Sequence, residues 1–441
     1  MVGRIALEPL PPADAITYFR SKGFAPQLQR FSHLDHWRED HARNFVVAKG
    51  MRDDVLELLQ KELLRSMEEG RTLEQFQADL EPALQKAGWW GQSVMRDPVT
   101  GIETEVQLGS MHRLRTIYDT NMRTAHAAGH WARIQRTKRA LPYLHYIQVE
   151  RTTKRDDHAR FHDKIWHVDD PIWQIIYPPN GYFCGCHVIQ RTEGWLRRKG
   201  RTVSDPMDLE AEAWTNPRTG ETTDLPRGVT PGFDANPGAV WLDLKARVAE
   251  VMPDLDDDRQ AHERGMLQAL RLRRMTLGRE TLAVADVNGD AYIAADADPE
   301  RPGVIDVSGV LRQDGGAFQA DRVALLHSHL TESPLSRADL MTLRVPQVRS
   351  VVAITPEGSI WRARPAQEMM SRKVTEFSVQ AKPILLRFSI PLSKEDRAHI
   401  INHALALFLE RRGAIHYTYS LTGRMRRLFA TYADLIERLS Q

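Results

Sequence analysis

Val55, Leu58, Leu59, Leu63 and Leu64 recur at three- and four-residue intervals behind Val46 and Val47, which gathers them on one face of an α-helix that Gly70 closes. Thr72-Leu73-Glu74-Gln75 is a capping-box sequence: the Thr72 hydroxyl can accept the Gln75 N–H while the Gln75 side chain reaches back to the Thr72 N–H. A second helix is therefore predicted through Phe76, Leu80 and Leu84 to a stop at Gly88. A third is predicted over about 111–136, with Leu114, Ile117, Tyr118 and Met122 on one face, small Ala125, Ala127 and Ala128 for close packing, and Pro142 as the breaker.

Alternation of Tyr143, His145 and Ile147 predicts a strand that enters a compact, loop-rich unit running to about Arg191. Within it Pro178-Pro179 fix an extended approach, and Asn180-Gly181 are expected to supply the positive backbone angles of a tight turn. Trp166 and Trp173 are expected in its core. Residues 204–238 are punctuated by Asn216-Pro217, Thr219-Gly220, Pro231-Gly232 and Asn236-Pro237-Gly238, the composition of an extended connector or a surface-hugging arm. A helical stretch follows over 240–277. Short strands come next at 281–287, 323–326 and 350–354, resuming at Ile360-Trp361 after the turn Pro356-Glu357-Gly358-Ser359, and then terminal helices, one over 394–411. No internal repeat is present.

These elements predict a multidomain α+β chain, in agreement with a length of 441 residues, which exceeds one ordinary core. The expected divisions are a helical region at 1–110, a compact core at 111–200, a Pro/Gly-rich linker at 201–240, a bridging helical segment at 241–277 and an α/β domain at 278–441. Hydrophobic residues at 42% and charged residues at 27% exclude disordered and fibrous classes. Sixty basic against fifty-eight acidic residues leave a formal charge of +2, so contact with nucleic acid would have to come from local patches. Two runs offer them, Arg133, Arg136, Lys138, Arg139 and Arg197, Arg198, Lys199, Arg201, although a solvated face is the favoured reading of such runs. No apolar stretch reaches the roughly 18 residues of a bilayer span, and the start, with Glu8, Pro9, Pro11 and Pro12, lacks a signal-peptide pattern, so no membrane partner and synthesis in the cytoplasm are expected.

Two groups of residues carry candidate chemistry. The apolar run before His327-Ser328-His329 reads as a strand, in which side chains two apart share a face, and Ser336 can cap a helix whose first turn contains Asp339. Two imidazoles and a carboxylate suit zinc and leave a fourth position for water, as a metal hydrolase requires. The second group is Cys184 and Cys186, too close in sequence for a disulfide that would staple distant segments, with His158, His162 or His187 as imidazole partners for zinc; buried thiols and loop-bonded histidines are the simpler alternative. His399 and His403, one helical turn apart, read as solvated or structural.

Several blocks resemble the phage Mu F-like minor head proteins. They are Pro11-Pro12-Ala13-Asp14-Ala15-Ile16, Phe45-Val46-Val47-Ala48-Lys49, Gly88-Trp89-Trp90-Gly91, Arg115-Thr116-Ile117-Tyr118-Asp119-Thr120-Asn121, Asp157 with Arg160 and His162, Val168-Asp169-Asp170, Pro178-Pro179-Asn180-Gly181 and Cys184-Gly185-Cys186. The order and spacing of these blocks cover about the first 240 residues; Gly185 departs from the basic residue usual between the cysteines. The resemblance implies a minor capsid protein acting in head morphogenesis, in the capsid interior or at the portal vertex, with the portal protein, other capsid proteins and phage DNA as candidate partners. The segment around His327, His329, Ser336 and Asp339 resembles the JAB/MPN (JAMM) metallopeptidases and their RadC-like relatives. That second resemblance implies a zinc-dependent peptidase or isopeptidase, with Glu280, ahead of a strand pair turning at Asn288-Gly289, as general base and Ser336 holding the oxyanion or a water. Leu330 stands where that motif has proline, and the step to Ser336 is one residue short. A toxin-like nuclease or effector, or a purely structural portal- or DNA-binding module, are the alternatives for the C-terminal domain.

Overall fold

The computed structural model describes residues 12–22, 31–35, 39–50, 52–150, 155–218, 220, 222–286, 291–313, 321–366, 370–387 and 392–441. The chain is α+β and divides into two units, Met1–Asp243 and Leu244–Gln441.

The first unit opens with helices α1 (Ala13–Arg20), α2 (Glu39–Arg43), α3 (Asp53–Glu69) and α4 (Leu73–Lys86), then a hairpin of β1 (Gln92–Arg96) and β2 (Glu103–Gln107), and the long helix α5 (Met111–Thr137). The capping box at Thr72 forms as predicted, with Gln75 N–H on the Thr72 hydroxyl and the Gln75 side chain on the Thr72 N–H. Val46 and Val47 lie outside α3, because Lys49 adopts a left-handed φ of 63° and separates them from the helix. α5 ends at Thr137, five residues before Pro142, so the proline is not its terminator. α1 lies against α5 where a Cβ at Gly129 would sit 2.7 Å from the Ala15 nitrogen, so only glycine allows that approach.

One end of α5 packs with a three-stranded sheet ordered β4-β3-β5, made of β3 (Tyr143–Ile147), β4 (Ile165–His167) and β5 (His187–Arg191), with α6 (Trp173–Ile176) alongside. β3 is not half-solvated as its alternation predicts: Leu144, His145 and Tyr146 are all buried. Trp166 and Trp173 meet edge to face in the core beneath, at 5.6 Å. After α7 (Glu193–Lys199), whose Arg197, Arg198 and Lys199 are exposed as a solvated face, the chain hugs the surface. Ser204 exchanges bonds with Ile165, and Asp205 O accepts from the Trp166 indole. This arm also carries a hairpin, β6 (Ala211–Thr215) with β7 (Thr222–Pro226), absent from the sequence reading.

The predicted helix over 240–277 is two helices, α8 (Pro237–Val251) and α9 (Asp257–Leu277). Pro253 has no N–H to continue the first, and the Asp256 side chain starts the second by accepting the Arg259 N–H at 2.7 Å. α8 carries the boundary between the units.

The second unit is built on a six-stranded sheet in the order β13-β12-β11-β10-β8-β9. Its strands are β8 (Thr281–Asp286), β9 (Ala291–Asp296), β10 (Val323–Ser328), β11 (Val348–Ile354), β12 (Ile360–Pro365) and β13 (Ile415–Ser420), and only β10 with β11 is parallel. β8 and β9 pair as a hairpin, while the expected turn at Asn288-Gly289 lies outside the described residues. Both faces of the sheet are covered. Ala283, Ala285, Ala324, Leu326, Val352 and Ile354 meet α8 and α9; Leu282, Val284, Val323, Leu325, Val351 and Ala353 meet the other helical layer. That layer comprises α10 (Val307–Gln313), α11 (Arg337–Thr342), α12 (Met370–Arg387), α13 (Lys394–Arg411), α14 (Gly423–Thr431) and α15 (Ala433–Ser440). Truncating one of these buried Leu side chains to Ala would cost about 2–5 kcal/mol.

His399 and His403 on α13 are buried rather than solvated. The His403 ring stacks on Phe429 at 4.1 Å and its Nδ1 lies 3.2 Å from the Tyr417 hydroxyl. Burial disfavours the imidazolium and pushes the His403 pKa down to about 3. The unfolded chain therefore binds a proton between about pH 6.5 and pH 3 that the folded chain refuses, and stability falls as pH drops through that window, by ~1.4 kcal/mol per pH unit. His403→Phe is expected to remove this part of the slope in urea denaturation between roughly pH 6 and pH 4; a wild-type slope in the variant would show that His403 does not set it.

Candidate metal centre

β10 is buried along its whole length, and its C-terminal end delivers His327. His329 lies one residue past the strand, and its ring turns back so that the two imidazoles sit 4.7 Å apart, centre to centre. Their Nε2 atoms are 2.9 Å apart. Asp339 arrives from the first turn of α11: its Oδ1 is 3.3 Å from His327 Nε2 and its Oδ2 is 3.5 Å from His329 Nε2. All three groups face one point within 4.8 Å of one another.

Each donor is held by something behind it. The His329 Nδ1–H donates to Ser333 O at 2.7 Å, which leaves the Nε2 lone pair for the shared point. Ser336 and Asp339 form a reciprocal capping box: Ser336 Oγ accepts the Asp339 N–H at 3.2 Å and Asp339 Oδ2 accepts the Ser336 N–H at 2.7 Å. The Ser336 oxygen is thus engaged at the helix start, and its hydroxyl proton is left to donate. Burial alone would raise the Asp339 pKa, but the charges and hydrogen bonds of His327 and His329 outweigh it and hold the carboxyl well below its usual range. The same contact works on His329: burial opposes protonation, yet Asp339, then Glu280 and the Ser333 carbonyl, raise it above the ordinary histidine value.

Glu280 occupies the short link between α9 and β8. Antiparallel pairing sets His327 opposite Leu282, so continuing the register places Glu280 beside His329. Its backbone is clamped, with Glu280 N–H on Pro302 O at 2.7 Å and Ala297 N–H on Glu280 O at 2.8 Å. The carboxylate faces the Gly303 loop, where a Cβ would come 3.9 Å from Oε1. Sequence reasoning missed the residues that fix the loop after His329. Arg274 donates to Leu330 O, and buried Glu332 accepts the Thr355 hydroxyl at 2.7 Å and the Glu357 N–H. A glutamate in the apolar company of Leu330, Pro334 and Leu335 was the available signal.

The donor set can be compared with a tetrahedral zinc, in which nitrogen and oxygen ligands about 2.0–2.1 Å from the ion stand about 3.3 Å apart. Each imidazole has its own Asp339 oxygen near that separation, Oδ1 for His327 and Oδ2 for His329, while the two imidazole nitrogens stand closer, at 2.9 Å. The residues fit the ion.

A second group in the first unit contains His158, Cys184 and Cys186, again within 4.8 Å of one another. His162 is not part of it: its Nδ1 accepts the Gln148 N–H at 3.0 Å. The positive φ expected at Asn180-Gly181 falls instead on Phe183, at 56°, which turns the chain directly before Cys184. His187 follows the loop as the exposed first residue of β5. Among the described residues these are the two groups able to hold a metal ion, and His399 and His403 belong to neither.

Fold and site together describe a helical and small-sheet unit followed by a sheet-based unit with a buried His–His–Asp cluster. Residues 57–189, from α3 to β5, match the family described as Phage Mu protein F like protein. A putative capsid assembly protein F of Escherichia phage Mu is 34% identical over 296 residues, covering 62% of this chain and 66% of its own length. The Mu-like prophage FluMu F protein of Haemophilus influenzae is 36% identical over 173 residues, covering 38% of this chain and 41% of its own. The chain thus spans just under two thirds of the first of these relatives and less of the second. No solved structure matches. Residues 57–189 therefore carry the phage Mu F-like region, and the chain is similar over most of its length to a capsid assembly protein of that kind.

Because Asp339 is positioned by its own cap, Ser336→Ala should lower the stability of the second unit by about 0.5–2 kcal/mol and weaken zinc binding there by about 10–100-fold, with Ser336→Thr restoring both. Urea titration and zinc competition on the three proteins measure this. Unchanged zinc affinity in the alanine variant would mean that the cap does not position the carboxylate.

Proposed function

We propose that the chain acts in head morphogenesis of a tailed bacteriophage, as a minor component in contact with the portal protein and other capsid proteins, and that its second unit is a zinc-dependent hydrolase of the JAB/MPN kind. Its site of action is the assembling head in the host cytoplasm and then the capsid interior or portal vertex. Phage DNA is a further partner, met by exposed cations such as Arg197, Arg198 and Lys199. Among the described residues no helix is long and apolar enough to cross a membrane. The head role is supported by the family match over residues 57–189 and by the capsid-assembly description of the Mu relative.

The hydrolase reading is carried by one observation: His327, His329 and Asp339 converge at zinc-like separations beside Glu280. Zinc held by those three would polarise a scissile amide carbonyl and make a water more acidic. Glu280, fixed at the edge of the cluster, takes a proton from the attacking water and passes it to the departing amine nitrogen as the C–O bond forms and the C–N bond breaks. Ser336 keeps its hydroxyl proton to donate toward the carbonyl oxygen. Burial of His327 and His329 excludes bulk water and strengthens these charge interactions.

The full chain, loaded with zinc, should cleave a peptide or isopeptide bond when incubated with the phage's purified portal and capsid proteins, with new termini read by mass spectrometry. Glu280→Gln should keep the metal and lose cleavage, and His327→Ala/His329→Ala should lose one zinc together with cleavage. Equal zinc content in the double variant and the wild type would sink the proposal, and cleavage of RNA or DNA instead would make the second unit a nuclease effector. Phage carrying Glu280→Gln separates the two roles, since a head function independent of the chemistry should still give filled heads.

A further inference from the structure

His158 sits on a 3-10 turn, Asp156–Phe161, and is 2% exposed. Its Nε2 lies 2.6 Å from Gly228 O. A carbonyl only accepts, so Nε2 carries the proton and Nδ1 presents a lone pair. Both cysteine sulfurs converge on that one atom: Cys184 Sγ is 3.6 Å and Cys186 Sγ 3.5 Å from Nδ1. The two thiols also meet each other, and Cys186 meets the Tyr146 hydroxyl, so three donor atoms of the kind zinc prefers are gathered at one point. The two cysteines form no disulfide.

The separations suit a cation. Tetrahedral zinc with a nitrogen at about 2.05 Å and sulfurs at about 2.3 Å places each sulfur about 3.6 Å from the nitrogen, and both observed separations agree with that value. The Asn180 backbone N–H is directed at Cys184, the arrangement that steadies a thiolate. The fourth position faces a small cavity of about 10 Å³ between Gln148, Arg155 and the Cys184–Cys186 loop, room for one water.

We propose that His158, Cys184 and Cys186 bind a structural zinc ion that clips the Asp156–Phe161 turn to the loop entering β5. Through His158 the clip also reaches the surface arm, because Gly228 takes the imidazole N–H. Gly228 has a φ of +87°, and a Cβ there would meet Asp157 at 3.2 Å, so the arm can approach only as glycine. The ion therefore ties three segments, far apart in sequence, into one corner of the first unit. Its ligands are independent of the His327 centre.

Cys184 and Cys186 are the chain's two cysteines, so any thiolate-to-metal signal reports this site alone. Cobalt(II) exchanged into the full-length His327→Ala/His329→Ala protein should give near-ultraviolet sulfur-to-cobalt charge-transfer bands and the visible pattern of tetrahedral cobalt. Zinc analysis of that protein should find about one equivalent per chain, absent after Cys184→Ser/Cys186→Ser is added. Zinc should also protect both thiols from alkylation, and a chelator should remove the protection; this reading uses intact cysteines and so does not depend on the serine variant folding. Absence of the charge-transfer bands, or equal alkylation rates with and without zinc, would overturn the site. The hydrolase reading of the second unit would stand in either case.

Discussion

The antiparallel register of β8 against β10 governs the second unit. On β8 the two faces are filled by side chains of different size: small Ala283 and Ala285 toward α8 and α9, larger Leu282 and Val284 toward the opposite helices. A one-residue slip would exchange those faces, pressing leucines into the space cut for alanines and leaving voids on the other side. The register is therefore fixed by volume, well away from any chemistry. Its consequence is chemical, because the pairing that sets Leu282 opposite His327 also sets Glu280 beside His329. Packing along the strand places the Glu280 carboxylate at its end.

A carboxylate partly withdrawn from water is stabilised by pairing and hydrogen bonding, and Asp339 has both. The two candidate centres use the same device on opposite ring nitrogens. His329 gives Nδ1–H to the Ser333 carbonyl and turns Nε2 inward, whereas His158 gives Nε2–H to the Gly228 carbonyl and turns Nδ1 inward. In each case a backbone acceptor selects the tautomer, and the chain that supplies it lies beyond the donor cluster. The difference lies in what converges: oxygen and nitrogen around a point next to a carboxylate base, or sulfur around a nitrogen in a loop corner. The first set suits chemistry with water, the second a fixed link.

Much of this was legible where local physics dominates. The capping box at Thr72, the bounds of α5 and α13 to within a residue, and the strands at Thr281, Val323, Val348 and Ile360 follow from periodicity and capping. What failed had weak or competing local signals. β1 and β2 are largely exposed, so their residues carry little apolar pattern, and β13 hides its buried Ile415 and Tyr417 among polar neighbours. Pro253 divided a helix that periodicity carried straight through, and a left-handed Phe183 took the turn assigned to Asn180-Gly181. For the sites, spacing within one strand was enough to pair His327 with His329. It could not choose between His158 and His162, because that depends on which ring meets Gly228, seventy positions further along the chain.

The matched family region runs over residues 57–189 and so contains His158, Cys184 and Cys186 but none of Glu280, His327, His329 or Asp339. The cysteine group is thus embedded in the part of the chain that matches the family model, where it would hold together the turn, the loop and the arm around the sheet β4-β3-β5. The His–His–Asp cluster is embedded in a different hydrophobic core, centred on β10, and its supports come from α9, the Gly303 loop and the Thr355 turn. Among the described residues no donor, cap or backbone acceptor is shared between the two groups, so loss of either set of ligands leaves the other's supporting bonds intact.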